Sequence, residues 1–542
     1  MAKYRKLSAS VSNKQPIQAP QTEQIPGTEM NNAGGYSYKI SKWESLDRFL
    51  ILGSEGGTYY VTEQKLTLDN VKSLLECISE DGQRVVDRIV EVSDKGLAAK
   101  NDPALFALAI CASHGDIRTK KLALSALPKV ARIGTHLFQF AHYVDGHRGW
   151  GKSLRDAISN WYNNMPVEKL SYQVIKYPSR TVEEGNTKSR WSHDDLLRKA
   201  HSKGDDLHNL IYQYITKENK LPAEVPSGLK ILEGNNLIKQ SKSAVETAEL
   251  IQKYSLPHEV VPKEYANDPD VWKCLLPNLP LHATLRVLNR LTAYDVIKPL
   301  SKELNLIINR LSDKEQIKKS RIHPISVLSA LKTYSSGQGI KGDLKWKPIP
   351  QIVDALNSML YNAFDFIEPT GKNILFGLDV SGSMSCSLPN LPYVSCREGT
   401  AVLAMASARV EKNYHIFGFC DTFVPLNISP NQRLDDVVNN INRLNFGSTD
   451  CSLPMKYAMQ NKLDVDAFVV LTDSETFYGD IHPSQALIQY RNKMNKPKAK
   501  LIVVGMVSNN VSIADPQDKY SLDVVGFDSS APSIISNFIR AD

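Results

Sequence analysis

The hydrophobic pattern of this chain changes its period once, near Pro369, and this change divides the chain into two architectures. From residue 36 to about residue 365, apolar residues recur at helical spacing in segments such as DPALFALAICASHG, which Gly, Pro, Asp or Asn usually bound. Beyond Pro369, short apolar runs such as NILFGLD alternate with helical segments, as buried parallel strands do. The sequence therefore predicts a mainly α-helical body followed by an α/β domain.

The helical segments over residues 36–365 are similar in length, and this regularity predicts paired helices that stack as a solenoid of HEAT type. Over residues 366–542, strands and helices alternate along the chain. Such an order predicts a doubly wound sheet, in which ligand sites lie at the carboxyl ends of the strands. The sequence PTGKN lies at the junction and marks the predicted domain boundary.

Residues 1–35 are rich in Gln, Pro, Ser, Thr and Asn and end in NNAGGY, so we expect a flexible tail. This tail lacks the apolar stretch of a secretory signal, and no run in the chain approaches the roughly 18 apolar residues of a membrane span. The seven cysteines are scattered and show no metal-binding spacing. We therefore expect reduced thiols, a cytoplasmic protein and no membrane association.

The most specific motif is Asp379-Val-Ser381-Gly-Ser383, which directly follows the first predicted strand of the α/β domain. This spacing allows one tight turn, with Gly382 at its centre, to direct three oxygen atoms at a single point. Carboxylate and hydroxyl oxygens are hard ligands that suit Mg²⁺ or another hard divalent cation. The motif therefore predicts a metal site at the carboxyl edge of the sheet.

Two further loops at the same predicted edge supply oxygen donors. Thr449 lies in Phe446-Gly-Ser-Thr-Asp before a helix, and Asp473 follows the strand DAFVVL. Together the three loops resemble the metal-ion-dependent adhesion site of von Willebrand A domains. The resemblance implies that Ser381, Ser383 and Thr449 bind the metal directly, and that the two aspartates bind it directly or through water. It also implies an open coordination position for the acidic group of a protein partner. The alternative is that these residues only form turns.

Positive charge is concentrated between Gly115 and His201, where 15 Lys and Arg residues stand against 8 Asp and Glu residues. The excess equals the net charge of +7 of the whole chain, whereas acidic residues slightly outnumber basic ones over residues 373–542. Cations interleaved with aromatic side chains suit RNA, because the cations neutralise phosphates and the rings stack on unpaired bases. The alternative is that the cations are solvated and that the aromatic residues pack between helices, as in Trp150, Trp161 and Trp191.

Several fragments resemble the TROVE module of the Ro autoantigen family. They are GSEGGTYY, LFALAIC, THLF, GWGKSLRDAISNWY and RWSHDDLLRKAH in the helical part, followed by RIHP, LKWKP, EPTGK, TDCSLPM and GFD. The fragments extend over nearly the whole chain beyond the predicted tail. The resemblance implies a ring of helical repeats that is closed by a C-terminal von Willebrand A-like domain.

The same resemblance implies that the protein binds small noncoding Y-type RNAs and the single-stranded 3′ ends of misfolded or structured RNAs. It implies RNA contacts at Lys176 and His201 and at an arginine between them, for which Arg180, Lys188 and Arg190 remain open. His201 could instead cap the carbonyl groups that end its helix. The basic stretch and the resemblance together give these candidate RNA contacts: Lys120, Arg132, His136, Lys152, Arg155, Lys176, Arg180, Arg190 and His201.

The resemblance implies a non-catalytic function in RNA quality control or processing, with presentation of RNA to a 3′ exoribonuclease. One alternative is a metal-dependent nuclease, but two-metal phosphoryl chemistry needs clustered carboxylates and the predicted site offers mainly hydroxyl groups. Another alternative is an adaptor that binds protein partners through the metal site. The basic excess between Gly115 and His201 argues against an adaptor that does not bind RNA.

Overall fold

The fold is taken from a computed structural model of the chain. It describes residues 18–52, 72–184, 187–339, 343–364, 368–388, 391–429, 432–444, 447–507, 509–526 and 528–541. The fragment GSEGGTYY, together with Phe446 and Phe527 of the motifs above, lies outside the described residues.

The first half of the described chain is mainly helical. An N-terminal segment forms two short strands, and helices follow with one β-hairpin between the seventh and the eighth. In chain order the elements are β1 (Thr28–Met30), β2 (Tyr36–Lys39), α1 (Lys42–Leu52), α2 (Lys72–Lys95), α3 (Asp102–His114), α4 (Ile117–Val130), α5 (Gly134–His147), α6 (Lys152–Asn163), α7 (Val167–Lys176), β3 (Ser179–Glu184), β4 (Thr187–Ser192), α8 (His193–Ala200) and α9 (Asp206–Thr216).

The helical body continues to Asn362. Its remaining α-helices are α10 (Lys230–Ile238), α11 (Ala244–Tyr254), α12 (Pro269–Leu275), α13 (Leu281–Ala293), α14 (Lys302–Ser312), α15 (Lys314–Ser320), α16 (Pro324–Ser336) and α17 (Pro350–Asn362).

Helix α3 shows why the body forms layers of helices. Its residues from Pro103 to Ala112 are buried, because the helix is apolar on every side and packs against α2, α4 and α5. The next helix, α4, is amphipathic and begins at Asp116, whose carboxylate accepts a hydrogen bond from the Thr119 amide at 2.7 Å. Alternation of such helices buries a continuous core along the body.

The two ends of the helical body meet. Arg321 forms an ion pair with Asp94 at 3.0 Å, and the His323 imidazole donates to the carbonyl of Leu97 at 3.1 Å. The same carbonyl accepts the amide of Ser529, which belongs to the C-terminal domain, at 3.4 Å. The C-terminal domain also contacts α1 and α16. These contacts confirm the predicted fold class, a helical-repeat ring closed by an α/β domain.

The C-terminal domain is a doubly wound α/β fold, as predicted. Its main sheet has the strand order β13-β11-β10-β5-β8-β9, and the pairs are parallel except that β9 runs antiparallel to β8. The elements of the domain are β5 (Ile374–Asp379), β6 (Ser387–Leu388), β7 (Leu391–Ser395), α18 (Cys396–Ala408), β8 (Tyr414–Phe419), β9 (Phe423–Pro425), α19 (Leu434–Asn442), α20 (Leu453–Gln460), β10 (Ala467–Thr472), α21 (Pro483–Lys493), β11 (Lys500–Gly505), β12 (Val511–Ser512), β13 (Ser521–Val525) and α22 (Ala531–Arg540).

The sheet reverses its winding between β5 and β10. From β5 the chain passes to β8 on one side, whereas β10, β11 and β13 follow in order on the other side. A crevice forms at the carboxyl ends of the strands where a doubly wound sheet changes direction. Asp379 ends β5 and Asp473 follows β10, so both aspartates lie at this point.

The prediction of a flexible tail over residues 1–35 is wrong for residues 18–35. Strand β2 pairs with β1 and with β12 of the α/β domain, and Gln21 is buried and donates to Asp450 at 2.6 Å. The segment is polar and has no core of its own, but it is ordered by hydrogen bonds to the α/β domain. Composition alone could not reveal that partner. Residues 1–17 lie outside the described residues.

In the part of the chain that the structure describes, no helix combines the length and the apolar character that crossing a membrane requires.

Candidate metal centre and nucleic-acid interface

The turn after β5 holds its oxygen atoms in a fixed arrangement. The Ser381 amide donates to Asp379 Oδ1 at 2.9 Å, and the Ser381 and Ser383 hydroxyl oxygens lie 3.0 Å apart. The Arg397 guanidinium donates to the Ser381 carbonyl at 3.0 Å. The structure thus brings three of the predicted metal ligands together, as the spacing of the motif predicts.

Asp473 enters the same site from the neighbouring strand. It is 1% exposed, and its Oδ1 accepts the Glu475 amide at 3.0 Å. Its Oδ2 is buried without a hydrogen-bond partner among the described residues. Burial raises the pKa of Asp473 well above its usual range, and the charge of Asp379 raises that pKa further, whereas the Ser383 hydroxyl opposes the rise. A cation between the two carboxylates would satisfy both of them, so the residues fit a metal ion.

Asp379 is held in place by a neighbouring strand. The Thr472 hydroxyl, at the end of β10, donates to Asp379 Oδ2 at 2.6 Å. Burial raises the pKa of Asp379, and the hydrogen bonds from Ser381 and Thr472 oppose that rise. The spacing of the metal-site motif does not predict Thr472 as part of the site. Its position at the end of a strand next to Asp473 is the signal that could have indicated it.

The loop with Thr449 lies against the loop that contains Asp473. The Thr449 carbonyl accepts the amides of Phe477 and Tyr478 at 3.3 and 3.1 Å, and Thr449 itself is buried. The three predicted metal-site loops therefore meet at one edge of the sheet. Asn32 of the N-terminal segment supports the Asp473 loop, because its backbone and side-chain N–H groups both donate to the Glu475 carboxylate at 2.7 Å. No local pattern indicated this contact, which joins distant parts of the chain.

The donors at this site are two carboxylates and several hydroxyl groups. Within the described ranges, no group of three His, Cys, Asp or Glu side chains is placed to hold a metal ion. Each of the five predicted ligands is at most 3% exposed. This set of hard oxygen atoms in a buried crevice suits a small hard cation. It lacks the clustered carboxylates that a pair of catalytic metals requires.

Three of the predicted RNA contacts lie together in the helical body. His136, in the first turn of α5, has its pKa lowered to about 3 by burial and, to a smaller extent, by the positive charges of Arg132 and Arg180. The Arg132 guanidinium donates to the carbonyl and hydroxyl oxygens of Ser93 at 2.9 and 2.7 Å. Arg132 therefore also has a structural role, since it joins α2 to the loop before α5.

The β3–β4 hairpin presents the arginines for which the sequence left the assignment open. Arg180 is opposite Trp191 in the register, and its charge acts on His136. Arg190 is exposed and donates through Nη2 to the Ser179 hydroxyl at 2.9 Å. The side chain of Lys188 lies outside the described residues. Of the two described arginines, Arg180 is the one beside another predicted RNA contact.

Lys176 ends α7 and is 8% exposed. Its Nζ donates to the Tyr172 hydroxyl at 3.1 Å, lies 3.8 Å from a carboxylate oxygen of Glu259, and lies 5.1 Å from the centre of the Tyr172 ring. The ammonium group is therefore held in one position by its own helix and by the short helical turn around Glu259.

His201 ends α8 in the left-handed conformation, with φ of 52°, and its backbone amide donates to the Leu197 carbonyl. The imidazole is exposed and makes no hydrogen bond to any side chain or backbone atom in the described ranges. The backbone, and not the imidazole, caps the helix. The remaining predicted contacts lie on two helices that pack together: Lys120 on α4, and Lys152 and Arg155 on α6.

The tryptophans of the basic stretch pack within the protein. Trp161 and Trp191 are buried, and Trp191 stacks on Trp150 with ring centres 6.1 Å apart. The Lys199 ammonium lies 5.1 Å from the Trp150 ring. These rings therefore serve helix packing, which is the alternative that the sequence left open for them.

Comparison with known proteins identifies the family. Residues 29–336 match the TROVE domain, and residues 373–539 match the Ro60 vWA domain. The chain is 37% identical over 97% of its length to the RNA-binding protein RO60 of Deinococcus radiodurans, 98% of which is covered. It is 33% identical over 95% of its length to the protein of the same name from Caenorhabditis elegans, 90% of which is covered.

A solved structure agrees with these matches. The crystal structure of the Deinococcus radiodurans RO (RSR) protein has 37% sequence identity and a TM-score of 0.70, and the match covers 92% of this chain and 99% of that chain. The chain therefore belongs to the Ro60 family, with a TROVE domain followed by a Ro60 vWA domain.

Proposed function

We propose that this protein binds RNA through its helical body and does so without catalysing a reaction on it. The observation that carries the proposal is the convergence of Arg180, from the β3–β4 hairpin, with Arg132 and His136, from the loop before α5 and its first turn. The positive charges of Arg132 and Arg180 repel one another beside the neutral His136, and an anionic ligand relieves that repulsion. The relatives described above, which are named RNA-binding proteins, support the same function.

The RNAs that we propose are small noncoding Y-type RNAs and the 3′ ends of misfolded or structured RNAs. A function in RNA quality control or processing follows, in which the cytoplasmic protein presents such RNAs to a 3′ exoribonuclease. The resemblance of the TROVE fragments supports this assignment. Sequencing of the RNAs that co-purify with the protein tests it, and recovery of only random fragments of abundant RNA would contradict it.

The RNA-binding proposal itself is tested by filter binding of a structured RNA with a single-stranded 3′ tail. Several phosphate contacts make the affinity fall by about a hundredfold or more between low and moderate salt. An affinity that does not change with salt would show that the basic stretch does not engage RNA. Incubation of the same RNA with Mg²⁺ should leave it intact, whereas cleavage that Asp379→Ala abolishes would favour the nuclease alternative.

We also propose that the α/β domain binds one divalent cation, with Mg²⁺ as the natural ion, and docks an acidic protein ligand there. Asp379, Ser381, Ser383, Thr449 and Asp473 would hold the ion. The buried Asp473 Oδ2 without a hydrogen-bond partner among the described residues supports the proposal, because a buried carboxylate oxygen needs a partner. The bound ion would offer a Lewis-acidic position to the carboxylate of a partner.

Calorimetric titration with Mg²⁺ and Mn²⁺ tests the metal proposal. We expect one binding site in the unmodified protein and none in Asp473→Asn, which removes the charge and keeps the shape of the side chain. Equal binding by both proteins would place the metal elsewhere. A protein adaptor without RNA binding, the second candidate function, would retain metal binding but show no affinity for RNA.

A further inference from the structure

A cavity of about 540 Å³ opens between four segments of the helical body that are distant in the sequence. Helix α7, the start of α10, the turn that follows α11 and the turn that precedes α13 form its walls. Sites for small ligands have volumes of roughly 300–1,000 Å³, so the cavity has room for a single nucleotide. Lys176 lines this cavity, which connects it to the proposed RNA-binding function.

Flat side chains line the cavity on different walls. Tyr172 lies on α7, Tyr254 ends α11, and His258 lies in the turn that follows α11. The His258 ring packs against Trp272 with ring centres 5.8 Å apart, which fixes its orientation. Unpaired bases stack on rings of this kind in proteins that bind single-stranded RNA.

Lys176 supplies a buried cation with hydrogen-bonding capacity to spare. An ammonium group has three N–H donors, and this one donates a hydrogen bond to the Tyr172 hydroxyl and also interacts with the Tyr177 side chain. Its acidic neighbour Glu259 lies 3.8 Å away, beyond hydrogen-bond distance. The remaining donors suit a phosphate or base carbonyl oxygen inside the cavity.

Helix α13 provides further cations beside the cavity. Arg286 and Arg290 are one turn apart on its exposed face, and neither has an ion-pair partner in the described ranges. Burial lowers the pKa of His258, the adjacent Glu259 carboxylate opposes that change, and the charges of Lys176 and both arginines lower the pKa further. The charges of both arginines therefore act on His258, which lines the cavity. Arg286 also lines a second cavity of about 340 Å³ together with Lys100, so the basic surface continues past α13.

We propose that the cavity holds one unpaired nucleotide of a bound RNA strand. The base stacks against the tyrosine rings, Lys176 binds an oxygen of the nucleotide, and the two arginines of α13 contact the neighbouring phosphates. The inference rests on the proposed RNA-binding function and adds a specific subsite to it. A single-stranded segment suits this site, because its unpaired bases are free to stack on the tyrosine rings.

A variant that fills the cavity tests the proposal without changing the charge. Ser227 lines the cavity and is exposed, so Ser227→Trp should fold normally and obstruct the site, and Ser227→Ala is its matched control. The probe is a hairpin RNA with a single-stranded 3′ tail that contains 4-thiouridine. We expect photo-crosslinks to peptides with Tyr172 or Tyr254 in the unmodified protein. These crosslinks should disappear in Ser227→Trp, and the affinity should fall about tenfold, as for the loss of one stacked base.

The arginines are tested by charge-matched variants. Arg286→Ala combined with Arg290→Ala should lower the slope of log affinity against log salt by about 1 to 2. Lys493→Ala combined with Lys498→Ala removes the same charge from exposed positions of the α/β domain and should leave the slope unchanged. An equal change in both double variants would show a general charge effect and would contradict the proposed contacts.

The outcomes separate this proposal from the proposed function. If the protein binds the probe with strong salt dependence but crosslinks only outside the cavity, the subsite is wrong while RNA binding stands. If the protein does not bind the probe, RNA binding itself fails. Free AMP could bind in the cavity of the unmodified protein and not in Ser227→Trp, while the RNA tail gives no crosslink there. This result would identify a nucleotide site unrelated to RNA and would overturn the proposal.

Discussion

The two candidate sites of this protein are built in opposite ways. Four of the five predicted metal ligands lie at or just after the ends of the adjacent strands β5 and β10, Thr449 lies in the loop before α20, and all five are buried. The RNA-binding surface takes its residues from helices, loops and a hairpin of the body, and many of these side chains are partly or fully exposed. A cation requires oxygen atoms fixed at one point, whereas a polyanion can be bound by charges distributed over a surface.

This difference predicts that the two sites respond to different perturbations. The metal site should depend on single side chains, because each ligand occupies a coordination position. The RNA-binding surface should respond to the number of cations and to salt, because each phosphate contact contributes a small share.

The largest effect is expected at the junction. Arg48 of α1 is 1% exposed and forms an ion pair with Asp523 of β13 at 2.9 Å. Arg48→Ala would leave a buried carboxylate without its partner, and we expect a loss of about 3–5 kcal/mol in the free energy of unfolding. Urea denaturation measures it. A loss below about 1 kcal/mol would indicate that this ion pair does not join the ring to the α/β domain. Lys493→Ala, at an exposed position, is the control and should leave the free energy of unfolding unchanged.

A second prediction concerns His136, whose pKa in the folded protein is about 3, below the usual value for histidine. Above pH 6.5 the residue is neutral in both states and does not affect stability. As the pH falls from 6.5 toward 3, the unfolded chain gains a proton that the folded protein excludes, so stability falls. When the pH is lowered from 7.5 to 5, the free energy of unfolding of His136→Gln should fall by about 2 kcal/mol less than that of the unmodified protein. Urea denaturation at both pH values measures these losses. If the two proteins lose the same free energy of unfolding, His136 is accessible to protons in the folded state.

The spacing of residues in the sequence predicts the geometry of the candidate metal site more directly than that of the candidate RNA-binding surface. Asp379, Ser381 and Ser383 lie within one turn, so their spacing along the chain already determines their spacing in the fold. By contrast, Arg180 approaches Arg132 and His136 only after the body folds. The contacts of Asn32 with Glu475 and of Gln21 with Asp450 join the N-terminus to the α/β domain. A polar segment without a hydrophobic period gives no sign of such distant partners, and this is why residues 18–35 were predicted to be flexible.

A third prediction tests whether the RNA-binding surface is distributed. Arg180→Ala should weaken RNA binding by about tenfold or less and lower the salt slope by about 1, because one phosphate contact is lost. The exposed Lys493 of the α/β domain provides a charge-matched control, and Lys493→Ala should have no effect. Filter binding at several salt concentrations gives both values. A complete loss of binding in a folded Arg180→Ala protein would contradict a distributed surface.

The smallest effect on stability is expected at His201. This residue adopts a left-handed conformation that glycine adopts more readily, so His201→Gly should raise stability by up to about 1 kcal/mol. If the exposed imidazole contacts RNA, the same substitution should weaken RNA binding by roughly 1–3 kcal/mol, as expected for a stacked base. Thermal melting and filter binding on one preparation separate the two effects. A gain in stability with unchanged affinity would remove His201 from the RNA-binding surface.

The central claim is that RNA binding and metal binding belong to separate regions of the protein. The most direct test is to measure both affinities on one preparation of Asp379→Ala, with circular dichroism to confirm that the protein is folded. We predict that Mg²⁺ binding weakens by on the order of 100-fold or more, since a metal ligand is lost, while the RNA affinity stays within about twofold of the unmodified protein. A folded Asp379→Ala protein that had lost its RNA affinity would contradict the claim.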